Sequence, residues 1–284
     1  PPGDGCVGDG LAPHGVDTGS EASVSLVNNC FVSDCYARMA QMARLTGHDD
    51  EAAAFEARRE ALNRTIHARF YDPATQTYAT GSQLDMTYPM LVGATPDSLR
   101  AGVEQRLFRL THDVMKDHIG GGLVGVPVIT RWAVRSHNPE FIYRMLKQRG
   151  YPGYLHMIDH GATATWEYWS GERSRVHNCY NGIGTWFYQA LGGLLTDSSH
   201  PGYEHVIIDP QIPEGVEWCR IGKETPYGRI DLGWEIADGE LIVGEKGDTA
   251  RAAPTFPELC CHTLQDMHVM NDRELINFSV TDED

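Results

Sequence analysis

Gly161-Ala-Thr-Ala-Thr-Trp-Glu-Tyr-Trp169 is followed, after a polar stretch, by His177-Asn-Cys-Tyr-Asn-Gly-Ile-Gly-Thr-Trp186. The first segment places one carboxylate, Glu167, between two indoles, and His177 lies ten residues further on. Indole faces cover the apolar C–H face of a sugar ring, and a neighbouring carboxylate can activate water or stabilise a cationic sugar. The pattern therefore indicates carbohydrate chemistry and makes Glu167 and His177 the first candidate site residues.

Four further segments carry a resemblance to a known family. Residues 8–13 (Gly-Asp-Gly-Leu-Ala-Pro) are similar to its Gly-Asp-Trp-Leu segment, and residues 118–127 to its His-Leu-x-Thr-Gly-x-x-Gly-Thr-Pro loop. Residues 151–157 resemble its Tyr-Pro-Ser-Trp-Leu-Tyr-Met segment. Residues 224–229 resemble a hairpin of the β-domain that follows its catalytic domain. Together with the Glu167 segment, they resemble the bacterial α-L-rhamnosidases of glycoside hydrolase family 78 over residues 8–245.

This resemblance implies both a fold and an activity. The expected fold is mainly α with a C-terminal β-domain. Residues 1–200 would form the C-terminal portion of an (α/α)6 barrel, and residues 201–284 a small β-sandwich-like domain with an irregular tail. The implied activity is inverting hydrolysis of terminal α-L-rhamnosides, with Glu167 as general base and His177 as a sugar-binding residue. No cofactor and no metal ion is implied.

The sequence departs from the family pattern at positions expected to contact the sugar, and it lacks the segment that carries the general acid. Gly10 and Tyr154 stand where the family has Trp, and Tyr168 stands where it has Arg, which leaves the sugar specificity open. The family segment Arg-Glu-Arg-x-Gly-Trp-Thr-Gly-Asp-Ala, which carries the general acid, does not occur in these residues. We therefore expect the acid to lie upstream, in a segment of the same protein that packs against this chain.

Three tryptophans are candidates for binding a carbohydrate substrate. Trp166, Trp169 and Trp132 are each suited to stacking on a sugar ring or to packing in the core, and core packing is the commoner role for such a side chain. The polar sequence that follows Trp169 favours that residue as the stacking platform.

Two loop residues complete the candidate substrate site. Asp9 lies between two glycines and suits either a hydroxyl acceptor or a turn. His118 precedes a run of three glycines and matches a loop of the family. Structural alternatives also exist for the first two candidates: an ion pair for Glu167, and local hydrogen bonds at a helix N-terminus for His177.

Hydrophobic periodicity supports the predicted architecture. Helical patterns cover residues 20–46, 49–70, 83–91, 96–113, 127–136, 139–149 and 180–194, and three of them open on proline. Strand patterns follow at residues 204–208, 216–223, 229–236 and 240–243, with Asp238-Gly239 as a hairpin turn. In the first helix, apolar residues recur at three- and four-residue steps: Val24, Val27, Phe31, Cys35, Met39, Met42 and Leu45.

Composition excludes some classes of partner. The chain has 23 basic and 39 acidic residues, giving a net charge of −16, which disfavours nucleic acids and anionic membranes. No apolar run is long enough to predict a membrane span. The acidity is compatible with an enzyme that acts on neutral sugars, and equally with acidity for solubility alone. The first residues have no signal-peptide pattern, and the compartment stays open.

Metal-binding motifs are weak. The seven cysteines form no Cys-x-x-Cys pair. His156 and His160 flank an acidic residue in a spacing close to an inverted zinc-protease signature, but that geometry requires a helix. Pro152, Gly153 and Gly161 disfavour a helix at this point, so we predict no metal site.

Two alternative functions follow from the departures. The chain could belong to an (α/α)6 glycosidase with a different terminal sugar, because contacts at Gly10 and Tyr168 are altered. It could also be a non-catalytic carbohydrate-binding fragment, because the acid segment is missing.

Overall fold

The computed structural model describes residues 8–237, 240–243 and 276–278, and the chain divides into two compact units, residues 1–183 and 184–284. The first unit contains α1 (Glu21–Leu45), α2 (Asp49–Phe70), α3 (Gln83–Val92), α4 (Asp97–Arg109), α5 (Gly125–Arg135), α6 (Pro139–Leu146) and α7 (Tyr154–Asp159). A short antiparallel pair, β1 (Tyr71–Asp72) and β2 (Thr77–Tyr78), lies between α2 and α3. None of the helices in these ranges is both long and apolar enough to cross a membrane.

Helices α1 and α2 form a hairpin that packs along its length. The side chain of Ser20 caps α1 by accepting a hydrogen bond from the Ser23 backbone nitrogen. Three acidic residues open α2, where the helix dipole favours negative charge. Between the two helices, the Ser33 hydroxyl donates to Asn63 Oδ1 at 2.6 Å, and this small polar contact allows close approach of the helices.

Helix α3 lies at the centre of the first unit. It contacts α1, α2, α4 and α5, and all its side chains except that of Leu91 are buried. Asn63 Nδ2 donates to the Val92 carbonyl at 2.9 Å, which ties the end of α3 to α2. Gly93 ends the helix in a left-handed conformation with φ of 78°, which glycine adopts without steric cost.

The second unit is built mainly from strands. It begins with a helical turn, α8 (Gly184–Trp186), that continues as a π-helical turn over Phe187–Leu191. Its strands are β3 (Leu194–Thr196), β4 (Val206–Ile208), β5 (Trp218–Thr225), β6 (Gly228–Ala237), β7 (Glu240–Val243) and β8 (Ile276–Phe278). They form two antiparallel three-stranded sheets, ordered β3-β4-β8 and β5-β6-β7.

The two sheets pack face to face through apolar side chains. Leu194, Val206 and Ile208 form a buried cluster, against which Ile221 and Leu232 of the other sheet pack. Two sheets that bury their apolar faces against each other form a sandwich-like core.

Most of the predicted helices and strands are present. Where a predicted boundary or element differs from the structure, the cause is local. Helix α5 begins at Gly125, two residues before Pro127, and Pro96 is the residue before α4, so only Pro139 occupies the first helical position. The helix predicted over residues 180–194 is broken into short turns, and β3 follows. The segment from Tyr154 forms helix α7, although the neighbouring glycine and proline residues led us to predict that no helix forms there. The predicted Asp238-Gly239 turn lies outside the described residues.

The apolar series of α1 is only partly buried, and within it Val27 is 3% exposed. Its members Phe31, Met42 and Leu45 are 60%, 51% and 45% exposed. The buried face uses smaller residues, including Cys30 and Ala40, which suit the short distance to neighbouring helices. Helix α1 therefore has a second, exposed apolar face.

Candidate active site

Asp9 anchors the glycine-rich loop that precedes α5. Its carboxylate accepts hydrogen bonds from the backbone nitrogens of Gly122, Val124 and Gly125 at 2.7, 2.8 and 2.7 Å. Burial raises the pKa of Asp9, and the three N–H donors oppose that rise. A Cβ at Gly125 would lie 2.3 Å from the carboxylate, so only glycine fits there.

This geometry gives Asp9 a structural role. The side chain is 2% exposed and both of its oxygens are engaged. It stabilises the N-terminus of α5, where backbone N–H groups otherwise lack partners. These contacts favour the structural role of Asp9 over the predicted role as an acceptor for a sugar hydroxyl.

His118 lies at the start of the same loop. Its Nδ1 is 2.9 Å from the Met115 carbonyl oxygen and 3.0 Å from that of Lys116, so this nitrogen donates to the preceding turn. A Cβ at Gly150 would lie 2.8 Å from Nε2, which shows how closely the ring packs against the backbone there. Local contacts account for His118, and the structure gives it no evident role toward a ligand.

Glu167 and His177 lie on two chain segments that pair through their backbones. The Glu167 nitrogen donates to the Ser174 carbonyl at 2.9 Å, and the His177 nitrogen donates to the Thr165 carbonyl at 2.8 Å. The segments run antiparallel, because the residue numbers rise on one side as they fall on the other. This pairing brings the carboxylate and the imidazole, ten residues apart in sequence, into one loop cluster.

The Glu167 carboxylate contacts Ser174 through one oxygen and faces Arg173 with the other. Oε2 accepts a hydrogen bond from the Ser174 nitrogen at 3.2 Å, and Oε1 lies 4.0 Å from a guanidinium nitrogen of Arg173. The Glu167 side chain is 21% exposed and that of Arg173 is 71% exposed. Solvent screens such an ion pair, so Arg173 contributes little to stability.

His177 is fixed in one tautomer by its neighbour Cys179. The Cys179 backbone nitrogen donates to His177 Nδ1 at 3.1 Å, and the Cys179 sulfur lies 2.7 Å from the same atom. Since Nδ1 accepts, the proton of the neutral ring is on Nε2, which can donate to a hydroxyl group. Burial, and then the charge of Glu167, raise the pKa of the Cys179 thiol, so this cysteine stays protonated.

Trp169 packs inside the loop cluster. It is 1% exposed, and its indole nitrogen donates to the Gly121 carbonyl at 3.0 Å. One face stacks on Tyr180 with ring centroids 4.0 Å apart, and Tyr154 meets its edge at 5.2 Å. Trp169 therefore joins the Glu167 segment to the glycine-rich loop, and no ring face is left for a sugar.

The other two tryptophans are also core residues. Trp166 is 2% exposed, and the guanidinium of Arg175 lies 5.1 Å from its ring. Trp132 is 1% exposed and packs edge-on against Phe141, with Phe108 beside it. Their burial favours core packing for all three indoles, the structural alternative to sugar stacking.

Two tyrosines belong to the site although sequence reasoning passed over them. The Tyr180 hydroxyl lies 2.7 Å from the Leu11 carbonyl and 3.1 Å from the Glu167 carbonyl, so it links the N-terminal loop to the Glu167 segment. Tyr151 is 36% exposed, and its hydroxyl accepts a hydrogen bond from the His14 nitrogen at 3.0 Å. The signal for Tyr151 was present in the segment 151–157, which carried part of the family resemblance.

Comparison with known proteins identifies the class to which this fold and loop cluster belong. Residues 4–191 match the family described as the bacterial alpha-L-rhamnosidase 6 hairpin glycosidase domain, and residues 193–244 match the bacterial alpha-L-rhamnosidase C-terminal domain. The chain belongs to this six-hairpin glycosidase family. Its helical unit is part of an (α/α)6 barrel followed by a β-domain, as predicted.

Individual relatives agree with this assignment. The chain is 25% identical over 251 residues to an alpha-L-rhamnosidase of Alteromonas sp. (strain LOR), a match that covers 82% of this chain and 27% of the relative. A crystal structure of Streptomyces avermitilis alpha-L-rhamnosidase complexed with L-rhamnose aligns with a TM-score of 0.75 at 22% identity, covering 85% of this chain and 23% of that one. The structure of the alpha-L-rhamnosidase from Dictyoglumus thermophilum aligns with a TM-score of 0.73 at 20% identity. This alignment covers 81% of this chain and 26% of that one. The chain thus spans about a quarter of these proteins.

The C-terminal segment also matches a different family. Residues 233–284 match the pyruvate formate lyase-like family, which overlaps the end of the preceding match. Over 48 residues the chain is 65% identical to trans-4-hydroxy-L-proline dehydratase of Clostridioides difficile, covering 17% of this chain and 6% of that protein. The sequence analysis did not predict this second similarity.

Proposed function

We propose that this chain is part of a glycoside hydrolase that removes terminal α-L-rhamnose with inversion, and that Glu167 is its general base. The observation that carries the proposal is the position of Glu167 within the six-hairpin family match. There, Oε2 is oriented by the Ser174 N–H, and the side chain is 21% exposed. A carboxylate held in this way can take a proton from water as the water attacks the anomeric carbon.

His177 is proposed as a sugar-binding residue beside the base. Its Nδ1 accepts from the Cys179 backbone, which leaves Nε2–H as a donor for a ring hydroxyl. Exposed Tyr151 replaces the buried tryptophans as the proposed aromatic surface for the sugar.

The general acid is proposed to come from a part of the protein outside this chain. Inverting hydrolysis needs a second carboxyl group roughly 6.5–9.5 Å from the base. Asp9, the buried carboxylate of the glycine-rich loop, is engaged by three N–H groups and is unsuited to protonating a leaving group.

The exposed apolar face of α1 supports the proposal that further chain packs against this unit. This face comprises Phe31, Cys35, Met39, Met42 and Leu45, which recur at helical spacing. Exposed apolar surfaces of this kind mark contacts with other protein segments. Helices of the same barrel are the proposed occupant, because the chain spans about a quarter of its relatives.

The configuration of the sugar released first tests this function. The complete protein that carries this chain is mixed with an aryl α-L-rhamnoside, and the anomeric proton signals of the product are followed by NMR. We expect β-L-rhamnose first, with the α-anomer appearing by mutarotation. Initial release of α-L-rhamnose would exclude inversion. If the protein hydrolysed only an aryl glycoside of a different sugar, its specificity would be for that sugar and not for rhamnose.

A further inference from the structure

A cluster of two histidines and one aspartate lies in the connection between β3 and β4. The two strands pair antiparallel, with Thr196 opposite Val206, so the connection must return on itself. The Asp197 nitrogen donates to the His205 carbonyl at 3.4 Å, which closes this return. Residues at the two ends of the connection are thereby brought together.

The potential ligand atoms of this cluster converge on one point. One nitrogen or oxygen from each of Asp197, His200 and His205 lies within 4.8 Å of the others. Nδ1 of His200 is 3.2 Å from Asp197 Oδ2, and Nδ1 of His205 is 3.8 Å from the same oxygen. The two imidazole rings lie side by side with centroids 3.7 Å apart.

The carboxylate of this cluster is held in place by hydrogen bonds. Asp197 Oδ1 accepts hydrogen bonds from the Ser199 hydroxyl at 2.6 Å and from the Ser199 nitrogen at 2.8 Å. Oδ2 is left facing both imidazoles.

The convergence of an imidazole nitrogen from each histidine on one carboxylate oxygen suits a bound cation. Two imidazole nitrogens and one carboxylate oxygen are a typical ligand set for zinc, with water completing the coordination.

We propose that Asp197, His200 and His205 bind a divalent transition-metal ion, with Zn²⁺ as the best fit, and that the ion clamps the β3–β4 connection. The three side chains are 28%, 42% and 31% exposed, so the ion has access from solvent while the ligands remain positioned. The site has the sequence form Asp-x-x-His-x-x-x-x-His. It is independent of the proposed rhamnosidase chemistry.

Titration of the purified 284-residue chain with Zn²⁺ after EDTA treatment tests this site. Isothermal calorimetry should give one saturable site, and His205→Ala and Asp197→Asn should each weaken binding by at least about 10-fold. His48→Ala and His156→Ala are the matched controls, the second of which removes one member of the His156–His160 pair. Both should bind as the unaltered chain does.

Co²⁺ substitution supplies a second readout that identifies the ligands. Nitrogen and oxygen ligands give visible d–d bands without the strong near-ultraviolet absorption that thiolate ligands add. Circular dichroism of each variant checks that it is folded. Absence of saturable binding, unchanged affinity in His205→Ala, or a thiolate spectrum would each overturn the proposal.

Discussion

Asp9 Oδ1 lies 2.7 Å from the backbone nitrogen of Gly125, the first residue of α5, although 116 positions separate the two residues. The contact gives the aspartate between two glycines a structural role. It fixes the glycine-rich loop, to which Trp169 attaches the Glu167 segment. The site is thus positioned by a buried carboxylate that does not take part in the proposed chemistry.

Replacement of Asp9 should destabilise the chain strongly. Asp9→Ala leaves three buried backbone N–H groups without their acceptor, and we expect a loss of about 3 kcal/mol or more in the free energy of unfolding. Asp9→Asn retains one acceptor oxygen and should lose less. Urea denaturation measures both, with exposed Asp113→Asn as the control. Equal stability of Asp9→Ala and the unaltered chain would contradict the anchoring role.

Tyr180→Phe should loosen the link between the N-terminal loop and the Glu167 segment. The change removes the hydroxyl that donates to the carbonyls of Leu11 and Glu167 and keeps the ring stacked on Trp169. We expect a loss of about 1–2 kcal/mol in unfolding free energy. Exposed Tyr188→Phe serves as the control and should change stability little. A Tyr180→Phe chain as stable as this control would show that the linking hydroxyl is dispensable.

The ion pair between Asp34 of α1 and Arg131 of α5 should make stability depend on acid pH. Burial alone would raise the pKa of Asp34, but hydrogen bonds and charge from Arg131, 3.0 and 3.2 Å away, outweigh it and lower the pKa. A pKa that is lower in the folded state stabilises the protein above the ordinary pKa of aspartate. This contribution is lost as pH falls through the lowered value.

The Asp34→Asn variant tests this dependence. At neutral pH we expect it to be less stable by about 1–2 kcal/mol, because the pair is largely shielded from solvent. Below pH 4 its stability should fall less steeply than that of the unaltered chain. Thermal unfolding between pH 2.5 and 7 measures the difference, and parallel curves for the two proteins would refute the assignment.

Trp132→Phe should reduce stability without affecting sugar binding. Trp132 is buried against Phe141 and Phe108, so the smaller ring leaves a cavity that costs about 1–3 kcal/mol. Calorimetric titration of the complete protein with L-rhamnose should give the same affinity with and without the change. Selective loss of rhamnose binding in a stably folded variant would restore Trp132 as a stacking platform.

The sequence predicted the positions of helices and strands more reliably than it predicted which face of a helix is buried. The periodicity of α1 and α2 gave their bounds closely, because caps and acidic first turns are local signals. The apolar pattern of α1 did not distinguish its buried positions, such as Val27, from exposed ones such as Phe31 and Met42. Which face is buried depends on neighbouring helices, and a single helix sequence does not contain that information.

The residues of the candidate site could be predicted only where the informative residues are close together in the sequence. Glu167 and His177 were predicted from two short neighbouring motifs, and backbone pairing brings their segments together. The roles of Asp9 and Trp169 depend on partners distant in sequence, Gly125 and Gly121, which no local pattern reveals. Asp197 and His205 meet only because β3 and β4 pair.

The kinetic effect of Glu167→Gln tests the central claim most directly. In the complete protein that carries this chain, the variant keeps the size of the side chain and removes the base, so kcat on an aryl α-L-rhamnoside should fall by about 10²–10⁴-fold with KM little changed. Glu172→Gln, on the same loop but 63% exposed, should retain activity. A loss confined to KM, or full activity of Glu167→Gln, would contradict the assignment of Glu167 as the general base.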